Sequence, residues 1–85
     1  MKNDPLVSVI MPSFNVKLYV GDAIESILNQ TYKNFEFIII DDNSTDGTLD
    51  IIKDYRKQDS RIVVTRNEEN LGVTKSLNKG VKLAK

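Results

Sequence analysis

Along this chain the spacing of apolar residues switches between two and three-to-four. Over residues 6–11, Val7, Val9 and Met11 alternate with Ser8, Ile10 and Pro12; because Ile10 is itself apolar, the segment reads as a strand covered on both faces. Pro12 lacks a ladder donor and is expected to end it. Over residues 18–30, Val20, Ala23, Ile24, Ile27 and Leu28 recur at helical spacing and leave Asp22, Glu25, Ser26 and Asn29 outward, which predicts an amphipathic helix. After a polar break at 30–34, residues 35–40 form a second strand rich in aromatic and β-branched side chains. Helical spacing returns over 48–58 through Leu49, Ile51, Ile52 and Tyr55, and a short third strand follows at 61–65. Val73, Leu77, Val81 and Ala84 then define a last helix, with Lys75, Lys79 and Lys82 on a different face.

Strands alternating with helices in this way imply parallel pairing through right-handed crossovers. The expected fold is α/β, a three-layer Rossmann-like half with three parallel strands in the order 3-2-1 and alternating helices. That order leaves the first strand with an apolar open edge, a liability in a complete soluble domain. Residues 1–85 are therefore expected to be the N-terminal segment of something longer. The same edge offers a surface for self-association, so a non-catalytic interaction module stays open as a reading.

Composition narrows the partners. With 85 residues the core is thin, since a chain near this size buries only a little over ~60% of its unfolded surface. Twelve basic and twelve acidic residues balance, without histidine, so no nucleic-acid footprint or polybasic membrane contact is present. The absence of cysteine excludes disulfides and thiolate metal sites. No apolar run approaches the roughly 18–20 residues of a membrane span. Residues 1–5 lead into the first strand without a secretory signal pattern, which makes the cytoplasm the expected location.

Candidate chemistry collects at strand ends. The second strand stops on Asp41 and Asp42, and the first runs into Pro12-Ser13-Phe14-Asn15. In open α/β sheets, ligands gather outside the carboxyl ends of strands. An ionised carboxylate is acceptor-only and matches the N–H of a base or the O–H of a ribose, but either aspartate could instead bond loop amides. Side chains alternate across a strand, so only one of the two can face a given side. Phe14 could stack on a base or close the core. Asn15 could bond a phosphate or sugar or serve the turn, and Asp46 is expected to cap the helix at 48–58. Asn70 and Gly72, in the loop after the third strand, could line the same pocket. Lys75, nearest a helix N-terminus, is the lysine best placed for a diphosphate.

The motifs Val7-Ser8-Val9-Ile10-Met11-Pro12-Ser13-Phe14-Asn15, Ser26-Ile27-Leu28-Asn29-Gln30-Thr31-Tyr32 and Asp41-Asp42-Asn43-Ser44-Thr45-Asp46, in this order and spacing, closely resemble the N-terminal part of family 2 glycosyltransferases of the GT-A fold. Asn70-Leu71-Gly72 and Asn78-Lys79-Gly80 extend the likeness over essentially the whole chain. The resemblance implies a truncated GT-A domain in which Pro12, Phe14 and Asn15 line the nucleotide, Asp42 meets the base, usually uracil, and Asp41 supports the pocket. It implies sugar transfer from a nucleotide-sugar donor, a UDP-sugar, to a glycan or lipid-linked acceptor hydroxyl with inversion, in cell-envelope polysaccharide synthesis. A divalent cation, Mg²⁺ or Mn²⁺, is implied for the full-length protein, held by an Asp-x-Asp element that this chain lacks. The chain alone is thus expected to bind no metal, to carry no catalytic residue and to turn nothing over. Leu77 also stands where many relatives have Arg before the Asn-x-Gly element.

Other classes fit less well. A phosphorelay receiver also has an Ile-rich strand ending in Asp-Asp, but here a strand-helix pair precedes that strand, and the third strand ends without a phosphoacceptor Asp. A dinucleotide oxidoreductase would need the Gly-x-Gly-x-x-Gly turn that Pro12-Ser13-Phe14-Asn15 replaces. A P-loop hydrolase lacks its lysine loop.

Overall fold

A computed structural model describes residues 5–85, so the reading of residues 1–4 lies outside the described residues. Elements follow in the order β1 (Val7–Ser13), α1 (Lys17–Leu28), β2 (Phe35–Asp41), α2 (Thr48–Gln58), β3 (Ile62–Arg66) and α3 (Val73–Leu83). The sheet is parallel, with β2 between β1 and β3. In register, Ser13 stands opposite Asp41, and Asp41 opposite Arg66, so the strands finish level with one another.

The two faces of the sheet bury different sets. Phe35, Phe37 and Ile39 of β2 pack with Val20 and Ile24 of α1, Ile52 of α2 and Ile62 of β3, supported by Val9 and Met11. Ile10 and Ile40, on the opposite face, meet α3 at Gly80. All seven residues of β2 are consequently buried, which accounts for its near-continuous apolar run. Glu36 is the exception in chemistry: its carboxylate accepts the Ser8 hydroxyl and the Lys85 amide. The Ser8 hydrogen bond foremost holds its carboxyl below the usual carboxylate range.

Two boundaries and one packed face differ from the sequence expectation. Pro12 does not end the first strand but pairs with Ile40 inside β1. Val7 donates to Asn34 and Ser13 accepts from Asp42, so alternate residues address β2, and the proline nitrogen falls on the outer edge, where no ladder bond is lost. The first helix stops at Leu28 rather than at residue 30, because the Gln30 side chain turns back to accept the Tyr32 amide. In α3 the packed residues are Ser76 and Gly80. Val73 and Val81 are 65% and 62% exposed, and Leu77 is also exposed, so the apolar stripe lies beside the sheet contact rather than in it. Among the described residues no helix is long and apolar enough to cross a membrane.

Candidate functional site: a cleft at the strand ends

Level strand ends bring the first and second candidate motifs together. Pro12, Ser13, Phe14, Asp42, Val73 and Ser76 line one cleft of about 50 Å³ at the carboxyl end of the sheet. Phe14 is 47% exposed, so its ring is offered to solvent. Asp42 is 4% exposed and forms the floor. A groove of about 340 Å³, lined by Glu25, Tyr55, Asp59 and Arg61 among others, lies between the far ends of α1 and α2. It sits at the opposite end of the strands from the position that binds ligands in such sheets.

Asp42 is held by the loop that leads into α3. Its Oδ1 accepts Asn67 Nδ2 at 2.8 Å and the Leu71 amide at 2.7 Å, and its Oδ2 accepts the Gly72 amide at 2.9 Å. Burial works against its charge, but the hydrogen bonds from Leu71, Asn67, Gly72 and Ser76 outweigh burial and keep the carboxyl below the usual carboxylate range. The group is therefore ionised at neutral pH and acceptor-only. A carboxylate offers about four lone-pair sites, and the loop amides with the Asn67 and Ser76 side chains engage both of its oxygens.

Asp41 points to the other face. It is fully buried; Oδ2 accepts the Ser44 amide at 3.0 Å and lies 3.8 Å from Arg66 Nε. Its Oδ1 and the Ser13 hydroxyl are buried without a hydrogen-bond partner. The adjacent carboxylates thus diverge. Among the described residues no group of three metal-ligating side chains forms.

The remaining candidates divide. Asn15 has φ of 50°, and its Oδ1 accepts the Thr45 amide at 2.8 Å, so the turn takes part of its acceptor capacity while its NH₂ has no such bond to the turn among the described residues. Asn70 is exposed and reaches the Asp42 carbonyl at 3.5 Å, the limit of a hydrogen bond. Gly72, at φ 87°, supplies an amide to Asp42 from a conformation natural to glycine. Lys75 is exposed in the first turn of α3. Lys79 instead donates to Asn67 Oδ1 at 2.9 Å, completing a chain from Lys79 through Asn67 to Asp42. Asp46 is not the N-cap of α2, a position taken by Gly47 with φ of 95°; its Oδ1 still accepts the Thr48 amide of the first turn.

Sequence reasoning missed Asn67 and Ser76. Both are buried, and Asn67 donates to Ser76 Oγ as well as to Asp42. Nothing in a loop containing both Asn67 and Asn70 marks which amide turns inward. The phosphorelay alternative gains no support, since β3 ends in Arg66 and Asp42 is committed to loop amides.

Comparison with known proteins points one way. The family model described as Glycosyl transferase family 2 matches residues 8–85. An "Uncharacterized glycosyltransferase" of Haemophilus influenzae is 48% identical over 81 residues, covering 95% of this chain and 25% of that protein. Among solved structures, S. aureus TarS 1-349 in complex with UDP-GlcNAc has a TM-score of 0.87 at 33% identity, covering 95% of this chain and 24% of that one. A mannosyltransferase of Pyrobaculum calidifontis, PcManGT, in complex with GDP-Man and Mn²⁺, has a TM-score of 0.86 at 24% identity, over 93% of this chain and 24% of that one, a likeness of fold. The chain therefore spans about a quarter of the length of these proteins.

Proposed function

The chain belongs to glycosyl transferase family 2, and from that premise we propose that it forms the nucleoside-binding part of a longer cytoplasmic enzyme. That enzyme transfers a sugar from a UDP-sugar to the hydroxyl of a glycan or lipid-linked acceptor, with inversion. The observation that carries the reading is the single cleft shared by Phe14 and Asp42. A base stacks on the exposed Phe14 ring, a contact worth about 1–3 kcal/mol when such an aromatic is truncated. Its ring N–H donates to Asp42 Oδ2, which loop amides keep ionised. Pro12 forms a wall, the Asn70–Gly72 loop supports the floor, Asp41 acts from the other face by bracing the turn at Ser44, and Asn15 turns its NH₂ toward the ribose or phosphate. Lys75 meets the diphosphate. In the transfer step the acceptor oxygen bonds to the anomeric carbon as the bond to the diphosphate oxygen breaks, and the acceptor proton leaves to a base. This chain's part is to hold the departing nucleoside diphosphate. The divalent cation proposed for the full-length enzyme belongs to residues beyond those described.

Titration of uridine diphosphate into wild type, Phe14→Ala and Asp42→Asn tests the reading. Each variant is expected to bind about tenfold more weakly or worse. Unchanged affinity in both would remove the cleft from nucleotide recognition.

A further inference from the structure

The turn that carries Phe14 is not secured by its own residues. The N-cap residue of α1, Val16, makes no side-chain capping bond, which leaves the first amides of that helix in need of acceptors. Three consecutive amides find them about thirty positions away in the loop after β2. Asn15 N–H donates to Ser44 Oγ at 3.0 Å, Val16 N–H to Thr48 Oγ1 at 3.0 Å, and Lys17 N–H to Asp46 Oδ2 at 3.2 Å. Asn15 Oδ1 returns the contact by accepting the Thr45 amide. Segment 44–48 thus caps α1 across the sheet as well as opening α2.

Thr48 is the centre of this clasp. It is fully buried, its hydroxyl accepts Val16 N–H, and its proton goes to Asp46 Oδ1. Asp46 in turn holds Lys17 with its other oxygen. Phe14 directly precedes these amides, its ring is half exposed, and Asn15 beside it has φ of 50°, in the left-handed region that Asn adopts more readily than other side-chain-bearing residues. The cross-sheet bonds are what hold that conformation.

We propose that Thr48 is a positioning residue for nucleoside recognition, acting through Phe14: by fixing the start of α1 it aims the ring across the cleft toward Asp42. This rests on the reading of the cleft given above. A pre-aimed ring loses little freedom on binding, whereas a loose one must be ordered by the ligand.

The test is NMR titration of uridine diphosphate into the full chain, well below the melting temperature of each variant. Thr48→Val, which keeps the shape and removes the hydroxyl, is expected to weaken binding about fivefold to tenfold, and Thr48→Ser to restore it. Ser44→Ala, at a less buried position, is expected to weaken binding in the same direction and serves if Thr48→Val fails to fold. In a Phe14→Ala background, neither Thr48→Val nor Ser44→Ala should weaken binding further. Wild-type affinity in both Thr48→Val and Ser44→Ala, or an equal loss with and without Phe14, would overturn the proposal. Wild-type affinity in Phe14→Ala itself would instead overturn the cleft reading, and this inference with it.

Discussion

Gly80 of α3 lies so close to Ile10 of β1 that a Cβ on the glycine would stand 2.4 Å from Ile10 Cγ2. Ile40 Cδ1 would be 2.8 Å away. The missing side chain lets α3 sit down on the sheet, and that approach brings Ser76 against Asn67 and Lys79 onto the Asn67 amide oxygen.

Gly80→Ala is expected to destabilise the protein. Alanine gains about 1 kcal/mol of helix propensity, but displacing a β-branched neighbour in a packed layer costs about 1–3 kcal/mol. A net loss of about 1 kcal/mol should appear as a lower urea midpoint. Ile10→Ala combined with Gly80→Ala should show a favourable coupling between the two sites, and a higher midpoint for Gly80→Ala alone would contradict the close contact.

Asp42→Ala removes the acceptor for two amides and the Asn67 side chain at once. Leaving buried donors unpaired costs about 1–3 kcal/mol each when nothing replaces the partner, so a loss of at least ~2 kcal/mol is expected in chemical unfolding. Hydrogen exchange should locate the damage in the 67–72 loop and the first turn of α3.

Acid should unfold the protein through its depressed carboxyls. Asp42, Asp46, Asp59 and Glu36 all have folded values below their ordinary ones. Their contribution is present above the unfolded values, near pH ~4, and is lost as pH falls through the lower folded values. The urea midpoint should accordingly change little from these groups between about pH 7 and pH 5 and fall steeply below about pH 4. Asp42→Asn should make the acid limb shallower.

Arg61 provides a control away from the cleft. It forks onto Asp59, with bonds of 2.7 and 3.0 Å, and lies over the Phe35 ring at 4.3 Å from its centroid. Arg61→Lys breaks the fork and weakens the stacking, with an expected loss of about 1 kcal/mol. Uridine diphosphate affinity, measured below the melting temperature, should stay at the wild-type value.

Lys75 can be assigned by ligand charge. Lys75→Ala should weaken uridine diphosphate several-fold while leaving uridine unchanged, because an exposed lysine acts on the phosphates alone. An equal effect on both ligands would place it against the base or remove it from the site.

The alternation of periods along the chain was enough to determine the α/β class and the parallel pairing of the strands, because strands covered on both faces demand nearly uninterrupted apolar runs such as Phe37 to Ile40; the central position of the second strand came from the common order of such folds. The paired aspartates and the Pro12–Asn15 turn were legible as candidate chemistry for the same reason: strand ends in such sheets are where ligands meet the chain. Only the tertiary structure decided which groups remain free to act. Asp42 acquires its partners from Leu71 and Gly72, and the Phe14 turn acquires its acceptors from Ser44, Asp46 and Thr48, all about thirty residues distant. Local pattern also misjudged α3, where close approach at Gly80 outweighed the apolar stripe. Periodicity reports the face a residue shares with its near neighbours, whereas hydrogen-bond commitment and packing distance depend on which distant backbone the fold brings alongside.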